Sequence, residues 1–342
     1  MQNTWNNNHW QGKVANHRQA GGIETAVLDN GAQKGVRVAW VNTGTGLFFK
    51  VVLDRGMDIY EAFAGGRSIA WMSHVGTTPP DQSAQAGLNW LNYFAGGLLT
   101  TCGLTHVGGP ESDEHGVRGL HDRIAMLPAE IESVVQPDLL RGRLEMSITG
   151  RMVQSTTVLG PHLEMRRTIS AKLGEPIIKI HDEVTNIGNT DAPHMILYHI
   201  NFGFPLIDET TRLVWSGKWT SRAENDVIFN DVNDFRQCKP PIPEHDGSGE
   251  SAAFIDMDAD ADGNCRCEVV NDALPLRLIM RFRKDQLPWV TNWQHWGRNE
   301  YVTALEPGTH PPIGQAKARQ EGSLIFLKPG ETRCYDIEME VG

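Results

Sequence analysis

The stretch "MILYHINFGFPLID" (residues 195–208) places a histidine and an asparagine two residues apart within an apolar run. Strand side chains alternate between two faces, so this pattern puts His199 and Asn201 on one face together with Leu197. The opposite face, which carries Tyr198, is expected to pack into the hydrophobic core. Because a buried polar group needs a hydrogen-bonding partner, the first face is expected to meet either protein groups or a ligand.

Strand patterns of the same kind extend in both directions from this stretch. Runs rich in β-branched and aromatic residues predict strands at 36–41, 47–53, 68–72, 144–150, 162–170, 177–186, 194–204, 212–217, 267–271, 276–283, 289–293, 301–306, 323–327 and 334–341. One short helix is predicted at 87–97, and 237–252 is predicted to be a long loop. Many short strands with little helical periodicity indicate an all-β sandwich or barrel.

The length and composition are those of a globular protein. Hydrophobic residues make up 40% and charged residues 21% of the 342 residues. No clean linker divides the chain, so residues 1–342 are expected to form a single domain. Within it, residues 1–30 are expected to be an N-terminal extension or an edge segment. No fixed-period repeat is visible, which argues against a propeller.

Charge and cysteine content narrow the range of partners. The net charge of −11 argues against a nucleic acid or an anionic membrane surface as partner. The N-terminus lacks the basic-then-apolar order of a signal peptide, and no apolar stretch approaches the roughly 20 residues of a membrane span. Five scattered cysteines predict reduced thiols in a cytoplasmic protein. The single C-x-C of Cys265 and Cys267 lacks the second pair that a four-ligand zinc site needs.

An acidic segment after residue 255 partly matches a calcium-binding loop. Asp258, Asp260, Asp262 and Gly263 fit its first half, but the twelfth position, which should be glutamate, is Val269. No helical pattern flanks the segment. The pattern therefore favours an Asp/Gly-rich turn between strands, without tight calcium binding.

Three further segments carry residues that are suited to ligand contacts. "VVLDRGMDIYEA" places Arg55 after an apolar strand, where it could form a salt bridge at the strand end or donate to ligand hydroxyls. "GVRGLHDRIAMLPAEI" places His121 and Arg123 in a turn that precedes a further strand. "YVTALEPGTHPPIG" places Glu306 where Pro307 is expected to end a strand, a position that suits a general base or a loop cap.

Taken in order, these segments resemble the aldose 1-epimerase (galactose mutarotase-like) superfamily. The resemblance rests on "IKIHDEVTNIGNTDAPHMILYHINFGFPL", "GLHDR" and "ALEPGTHPP", with support from "LDRGMDI" and "GGLLTTCGL". It covers the chain from about Leu53 to the C-terminus and indicates a divergent branch. It implies an all-β fold, the β-supersandwich with few short helices, and a carbohydrate cleft on one sheet.

The resemblance also implies roles for individual residues. His199 matches the family's general acid, Glu306 its general base, and His121 its second, sugar-binding histidine. The family's arginine segment has no match, so Arg55 is the expected substitute. Asp122 stands where the family has a glycine, and the family's sugar-binding aspartate has no counterpart.

The implied reaction is the interconversion of sugar anomers by acid–base ring opening and closing, without a metal or an organic cofactor. A neighbouring carboxylate is expected to hold the His199 imidazolium charged. The side chains of His199 and Glu306 are expected to converge on one cleft, across a space about the width of a sugar ring. The remaining expected substrate-binding residues are Arg55, His121, Arg123, Asn201, Trp293 and Gln294. Of these, Asn201 should bond a sugar hydroxyl or orient the histidine ring.

Two other classes of function stay open at this point. One is a non-catalytic carbohydrate-binding or sensor protein on the same fold, which would not need both His199 and Glu306. The other is a different sugar isomerase or a lyase, although the five tyrosines show no cluster that a lyase would use as base. In each case the expected partner is a small sugar or sugar derivative, and the expected assembly is a monomer or homodimer.

Overall fold

The computed structural model describes residues 10–342. The part of the predicted N-terminal extension before residue 10 lies outside the described residues. In chain order, the strands are β1 (Gly22–Val27), β2 (Arg37–Asn42), β3 (Leu47–Val52), β4 (Asp58–Ala64), β5 (Arg67–Ser68), β6 (Thr100–Leu104), β7 (Glu111–Asp113), β8 (Gly116–Arg118), β9 (Glu130–Val135), β10 (Glu145–Gln154), β11 (Leu163–Lys172), β12 (Ile177–Asn186), β13 (Ala192–Gly203), β14 (Thr211–Trp215), β15 (Gly217–Ser221), β16 (Ser251–Met257), β17 (Asn264–Asn271), β18 (Leu276–Arg283), β19 (Trp289–Gly297), β20 (Glu300–Gly308), β21 (Ile325–Leu327) and β22 (Thr332–Val341).

Helical structure is scarce in the described part of the chain. The one α-helix there is α1, Gln315–Gln320. Single 3₁₀ turns occupy His17–Gln19, Gly31–Gln33, Gln82–Gln85, Asn89–Asn92, Ile124–Met126, Leu139–Arg141 and Pro243–His245. None of the helices between residues 10 and 342 is long and apolar enough to cross a membrane.

The strands form three larger antiparallel sheets and one small hairpin. The first sheet has the order β1-β2-β3-β4-β5, and the second has the order β14-β17-β18-β22-β12-β11-β10-β9. The third, which we call the cleft sheet, has the order β15-β16-β19-β20-β13-β21, with β6 also paired to β13. The hairpin is β7-β8. The all-β prediction is therefore confirmed.

The eight-stranded sheet and the cleft sheet share one hydrophobic core with the first sheet. Ile180 of β12, Ile200 of β13 and Ile59 of β4 belong to the same buried cluster. Along β11, buried residues alternate with more exposed ones, the period-two pattern of a sheet with one face on the core. On β13 of the cleft sheet, Ile200 packs into this core, whereas Leu197 on the alternate face belongs to a second, smaller cluster. The main core therefore lies on one face of the cleft sheet, and the other face makes different contacts.

The core face of β13 carries a polar contact that the sequence did not predict. Tyr198 is fully buried and its hydroxyl donates to Asp182 of β12 at 2.7 Å. Asp182 in turn pairs with the buried Arg167 of β11, whose guanidinium also reaches Asp58 of β4. A charged network thus joins the three larger sheets directly behind the residue that precedes His199.

Several predicted elements differ from the structure. The predicted helix at 87–97 is only a 3₁₀ turn over Asn89–Asn92, because its glycines and asparagines favour turns over helix. Of the strand predicted at 68–72, only Ser68 lies in a strand, the two-residue β5. The predicted turn near Asp260 is confirmed: its carboxylate accepts backbone N–H bonds from Asp262 and Asn264 between β16 and β17. The absence of tight calcium binding there stays a prediction.

Candidate functional site

Three neighbouring strands of the cleft sheet bring the two central residues together. Ile200 of β13 pairs with Leu305 of β20, so His199 lies opposite Glu306. Glu306 also pairs in register with Thr291 of β19. His199 Nε2 lies 3.2 Å from Glu306 Oε1. Glu306 is inside β20, which continues through Gly308, so its backbone is held by strands on both sides.

The pair lies at the bottom of a cleft of about 670 Å³ on the face of the sheet that points away from the main core. The cleft is lined by Trp71, Ser73, His74, Val75, Leu88, Trp90, Leu91, Phe94, Gly108, Gly109, Leu120, His121, His199, Arg222, Gly247, Ser248, Glu250, Ala252, Thr291, Trp293, His295, Glu300, Glu306 and Pro312. Apolar walls with a few convergent polar groups are typical of small-molecule sites.

Aromatic side chains surround the histidine. The ring centroids of Phe94 and Trp293 lie 5.1 Å and 5.4 Å from that of His199. Trp71 reaches the cleft because the segment that carries it passes directly over β13 at Gly203. A Cβ on Gly203 would lie 2.8 Å from the Cα of Trp71, so only glycine allows this approach.

Burial controls the charge of the central pair. Desolvation lowers the pKa of His199 to about 4, against the opposing effects of the Asn201 side chain and the Glu250 carboxylate. Desolvation also raises the pKa of Glu306 well above its ordinary value, with a further rise from Glu250. The expectation that a neighbouring carboxylate holds the imidazolium charged is therefore wrong, because loss of hydration outweighs the carboxylate's attraction.

The Asn201 side chain hydrogen-bonds the backbone next to the histidine. Its Nδ2 donates to the carbonyl oxygens of Gly97 and His199, at 3.0 Å and 2.9 Å, and its side chain is fully buried. Asn201 Oδ1 and His199 Nδ1 are both buried without a hydrogen-bond partner. Since the two side chains share a face, Asn201 Oδ1 is the nearby acceptor for a proton on Nδ1, which would leave Nε2 facing Glu306. Asn201 does not line the cleft, so orientation of the histidine ring is the role that stays a prediction for it.

His121 lies beside His199 at one end of the cleft. Its ring centroid is 6.4 Å from that of His199, and its edge-on contact with Trp90 has a centroid separation of 4.9 Å. Residues 121 and 122 both have positive φ, 57° and 58°. Asp122 holds this turn by accepting bonds from Thr105 and Gln154. Burial lowers the pKa of His121 to about 3, so the ring is neutral there.

A charged pair lies on the other side of His199. Glu250 accepts a 2.7 Å bond from Trp293 Nε1 and pairs with Arg222 at 2.8 Å. Burial acts to raise the pKa of Glu250, but Arg222 and the Trp293 bond outweigh burial and lower it. Glu250 is therefore a charged acceptor within the cleft, held next to an aromatic surface.

Arg55 does not line the cleft. Its guanidinium is buried and donates to the carbonyl oxygens of Ala125, Thr78 and Tyr93. The Tyr93 bond is 2.7 Å long and ties Arg55 to the segment that carries Phe94. The predicted substrate contact is thus replaced by a structural role, because these backbone acceptors already occupy the guanidinium.

Two more predicted binding residues point elsewhere. Arg123 is outside the lining and donates to the carbonyl of Ser155 at 2.5 Å. Gln294 follows Trp293 on β19, so its side chain lies on the opposite face. There it bonds the Phe235 carbonyl and the Trp296 indole. Alternation along a strand prevents Trp293 and Gln294 from sharing the cleft.

Other lining residues were missed by the sequence reasoning. Trp71 and Phe94 lie outside the helices and strands, Trp90 lies in the 3₁₀ turn Asn89–Asn92, and Glu250 lies at the end of the predicted loop 237–252. The ten tryptophans were a usable signal, since aromatic residues in turns and loops are available to line a cleft. Nothing in the local sequence marks Thr291, whose buried Oγ1 has no hydrogen-bond partner.

One group of possible metal ligands occurs among the described residues, and it lies outside the cleft. His181 and Glu183 of β12 and Cys334 of β22 bring their ligand atoms within 4.8 Å of one another on the eight-stranded sheet.

Comparison with solved structures places the fold. A candidate aldose 1-epimerase from Klebsiella pneumoniae matches with a TM-score of 0.81 and 23% identity, over 93% of this chain and 83% of that one. A galactose mutarotase-like protein from Clostridium acetobutylicum matches with a TM-score of 0.62 and 12% identity, over 94% and 98%. Galactose 1-epimerase from Lactobacillus acidophilus matches with a TM-score of 0.59 and 12% identity, over 94% and 98%. At these identities the matches show the fold, which is galactose mutarotase-like, as the resemblance predicted.

The family assignment is more specific. Residues 33–341 match the family model described as "Domain of unknown function (DUF4432)", and the chain belongs to that family. Curated protein sequences give no match. The chain thus combines membership of this family with the galactose mutarotase-like fold.

Proposed function

We propose that this protein is an aldose 1-epimerase-like isomerase that interconverts the anomers of a reducing sugar. The observation that carries the proposal is the contact between His199 Nε2 and Glu306 Oε1, 3.2 Å apart at the bottom of an aromatic-lined cleft. Two groups that can exchange a proton, held on neighbouring strands and shielded from water, are suited to general acid–base catalysis.

The short distance suits the reaction better than the predicted ring-width separation. Ring opening removes the proton from the anomeric hydroxyl and delivers a proton to the ring oxygen. Both oxygens are bonded to the same carbon, so the base and the acid must lie close together. The C1–C2 bond of the open aldehyde then rotates, and closure on the other face returns the protons.

The reaction needs one proton on the pair. Burial disfavours charge on both groups, so the resting state carries that proton on Glu306 and leaves His199 neutral. Transfer of the proton to His199 Nε2 across the 3.2 Å contact generates the carboxylate base and the imidazolium acid. Glu306 then accepts the proton of the anomeric hydroxyl, and His199 donates to the ring oxygen.

The remaining cleft residues are suited to holding a sugar. Trp293 offers an apolar surface next to His199, and the charged Glu250 can accept hydrogen bonds from sugar hydroxyls. His121 Nδ1 is buried without a partner, so it is available to a hydroxyl of the bound ring. These contacts support a small sugar as ligand.

All five cysteines are free, which supports the proposed cytoplasmic location.

The direct test follows optical rotation or NMR after freshly dissolved single anomers are mixed with the protein. We expect interconversion of at least one common aldose well above the spontaneous rate in matched buffer. Saturable binding without acceleration across a panel of aldoses would instead assign the non-catalytic, carbohydrate-binding function.

The rate of interconversion should have a broad pH profile. As pH falls through the His199 pKa of about 4, the pair gains a second proton and loses its base. As pH rises through the raised pKa of Glu306, the pair loses its only proton. Activity should therefore persist below pH 6, where an ordinary histidine is already protonated, and both limbs should report the pair as a unit. Polarimetric kcat/KM between about pH 3.5 and 9.5, corrected for the spontaneous reaction, checks this. An acid limb near pH 6.5 would contradict it.

His121→Asn should mainly weaken sugar binding. The ring contacts no reacting atom directly but lies 6.4 Å from the His199 ring and lines the cleft. We expect KM to rise about tenfold, with kcat changed by less than about threefold, since the lost interaction is of the uniform binding type. A matched drop in kcat with unchanged KM would place His121 in the chemical step instead.

A further inference from the structure

We infer that the outer face of the eight-stranded sheet binds a zinc ion, with His181, Glu183 and Cys334 as its protein ligands. The outer face is the face of this sheet that points away from the main core. The site is separate from the cleft, so the inference does not rest on the proposed function.

The pairing of two neighbouring strands brings the ligands together. The register of β12 and β22 places Glu183 opposite Cys334, and His181 opposite Asp336. Within each strand the two residues are two apart, so all four side chains lie on the same face. The ligand atoms of His181, Glu183 and Cys334 lie within 4.8 Å of one another. Two hydrogen-bonded strands therefore fix the spacing of the ligands.

The chemistry of the three side chains favours zinc. Calcium and magnesium prefer oxygen ligands, whereas zinc is bound by cysteine sulfur, histidine nitrogen and carboxylate oxygen. Metal–ligand bonds of about 2.0–2.3 Å place the ligands of a tetrahedral ion about 3.3–3.8 Å apart. Small rotations of the side chains close the remaining difference. Three protein ligands leave a fourth position open to water or a solute.

The exposure of Cys334 suits this role. It is the exposed member of the five cysteines, and the other four are buried. A metal ion that arrives from solvent therefore has direct access to this thiol. A thiol also distinguishes the group from the many exposed carboxylate pairs on the surface, since those lack a soft ligand.

Asp336 orients the histidine ring. Its Oδ1 lies 2.7 Å from His181 Nδ1, and its Oδ2 accepts a 3.0 Å bond from Gln286 Nε2. Gln286 also accepts a 2.9 Å bond from the backbone N–H of Asp336. Histidines that bind metals usually donate the N–H of their second ring nitrogen to a carboxylate. With Nδ1 bonded to Asp336, the lone pair of His181 Nε2 remains for the metal.

The group borders a concave part of the surface. His181 and Asp336 line a groove of about 910 Å³, together with Asp260 of the turn that joins β16 to β17. An ion held by His181 therefore faces the groove, where its open coordination position is accessible to a second ligand.

One contact competes with the metal. Arg166 Nη1 lies 3.3 Å from Glu183 Oε2, but Arg166 Nε lies closer to Glu132 Oε2, at 2.7 Å. The Arg166 side chain is 46% exposed and that of Glu183 is 37% exposed, so their ion pair contributes little. Arg166 can keep its contact with Glu132 while Glu183 turns to the ion.

The test titrates chelator-stripped protein with Zn²⁺ alone in a calorimeter. We expect one ion to bind per chain. His181→Asn and Cys334→Ser should each weaken binding by about 100-fold or more, and Asp336→Asn by about 10- to 100-fold, the usual effect of losing an outer partner of a ligand. With Co²⁺ as a second probe, a thiolate-to-cobalt absorption band should appear, and Cys334→Ser should remove it.

His115 offers a matched control. It is an exposed histidine outside the group, and its Nε2 lies 3.8 Å from Glu114 Oε1. His115→Asn should bind Zn²⁺ as the wild-type protein does. With a chelator present, all variants should unfold at the wild-type temperature, because the changed side chains lie on the outer face. Added Zn²⁺ should raise the unfolding temperature only of the proteins that keep the site.

Two results would overturn the inference. One is the absence of saturable Zn²⁺ binding to the wild-type protein. The other is Zn²⁺ binding that His181→Asn and Cys334→Ser both leave unchanged, since another part of the surface would then hold the ion. Neither result bears on anomer interconversion in the cleft, so failure of this inference and failure of the proposed function are distinguishable.

Discussion

His199→Asn and Glu306→Gln should each lower kcat for anomer interconversion by about two orders of magnitude or more. Both changes keep near-native size and remove a group that exchanges the catalytic proton. Because the two groups act as one pair, 3.2 Å apart, the double variant should be little worse than either single variant. Polarimetry with a pure anomer, at several enzyme concentrations, measures the effect.

Stability separates this loss of chemistry from loss of the fold. Glu306→Gln removes a buried group whose raised pKa shows that its charged form is disfavoured there. The variant should therefore unfold at a temperature equal to or slightly above that of the wild-type protein. The exposed control His115→Asn should retain full activity. Wild-type turnover in the double variant would rule out the pair as acid and base.

The fold could be predicted from the sequence because most strands carry their own pattern. The runs at 177–186 and 276–283 coincide with β12 and β18, since each alternates buried and more exposed side chains between clear turns. One missed strand, β6, is buried along its whole length and shows no alternation. Another, β1, is mostly exposed and has no apolar run to mark it. The prediction of a helix at 87–97 was wrong because the apolar residues there have helical spacing, but the glycines and asparagines between them favour a turn.

The candidate site was accessible to sequence reasoning only in part. Alternation alone places His199 and Asn201 on one face, and the family resemblance pairs His199 with Glu306 across more than 100 residues. The same alternation rule excludes Gln294 as a companion of Trp293, so that error was avoidable. Arg55 could not be settled in advance, because its partners are backbone carbonyls of three distant segments. Glu250 lies in a loop, and a loop has no periodic pattern from which the orientation of a side chain could be predicted.

Behind the cleft, removal of the Arg167 charge should produce the largest loss of stability. The guanidinium is fully buried and donates to both oxygens of Asp182, at 2.8 Å and 2.7 Å, and to Asp58 at 2.9 Å. Burial acts to lower the pKa of Arg167, but the Asp182 and Asp58 carboxylates outweigh burial and raise it. Arg167→Met would leave the two carboxylates buried without their cation, which typically costs about 3–5 kcal/mol of unfolding free energy.

The neighbouring residue on β11 provides the matched control for this prediction. Arg166 also pairs with two carboxylates, Glu132 and Glu183, but its side chain is 46% exposed. Arg166→Met should therefore change the free energy of unfolding by no more than about 1 kcal/mol. Urea unfolding monitored by tryptophan fluorescence compares the two variants at equal temperature and ionic strength. Equal effects in the two variants would show that burial of the network is not what makes Arg167 important.

The pH dependence of the defect tests its cause. Burial already raises the pKa of Asp58 in the wild-type protein, against the attraction of Arg167, so loss of the arginine charge in Arg167→Met should raise the folded-state pKa of Asp58 further above that of the unfolded chain. Such a group destabilises the fold above the folded-state pKa, and the penalty disappears as pH falls below the unfolded-state pKa. The stability difference between wild type and Arg167→Met should therefore shrink from pH 7 towards pH 4. A difference that stays constant over this range would mean that lost packing of the arginine stem, and not the buried unpaired charge, destabilises the variant.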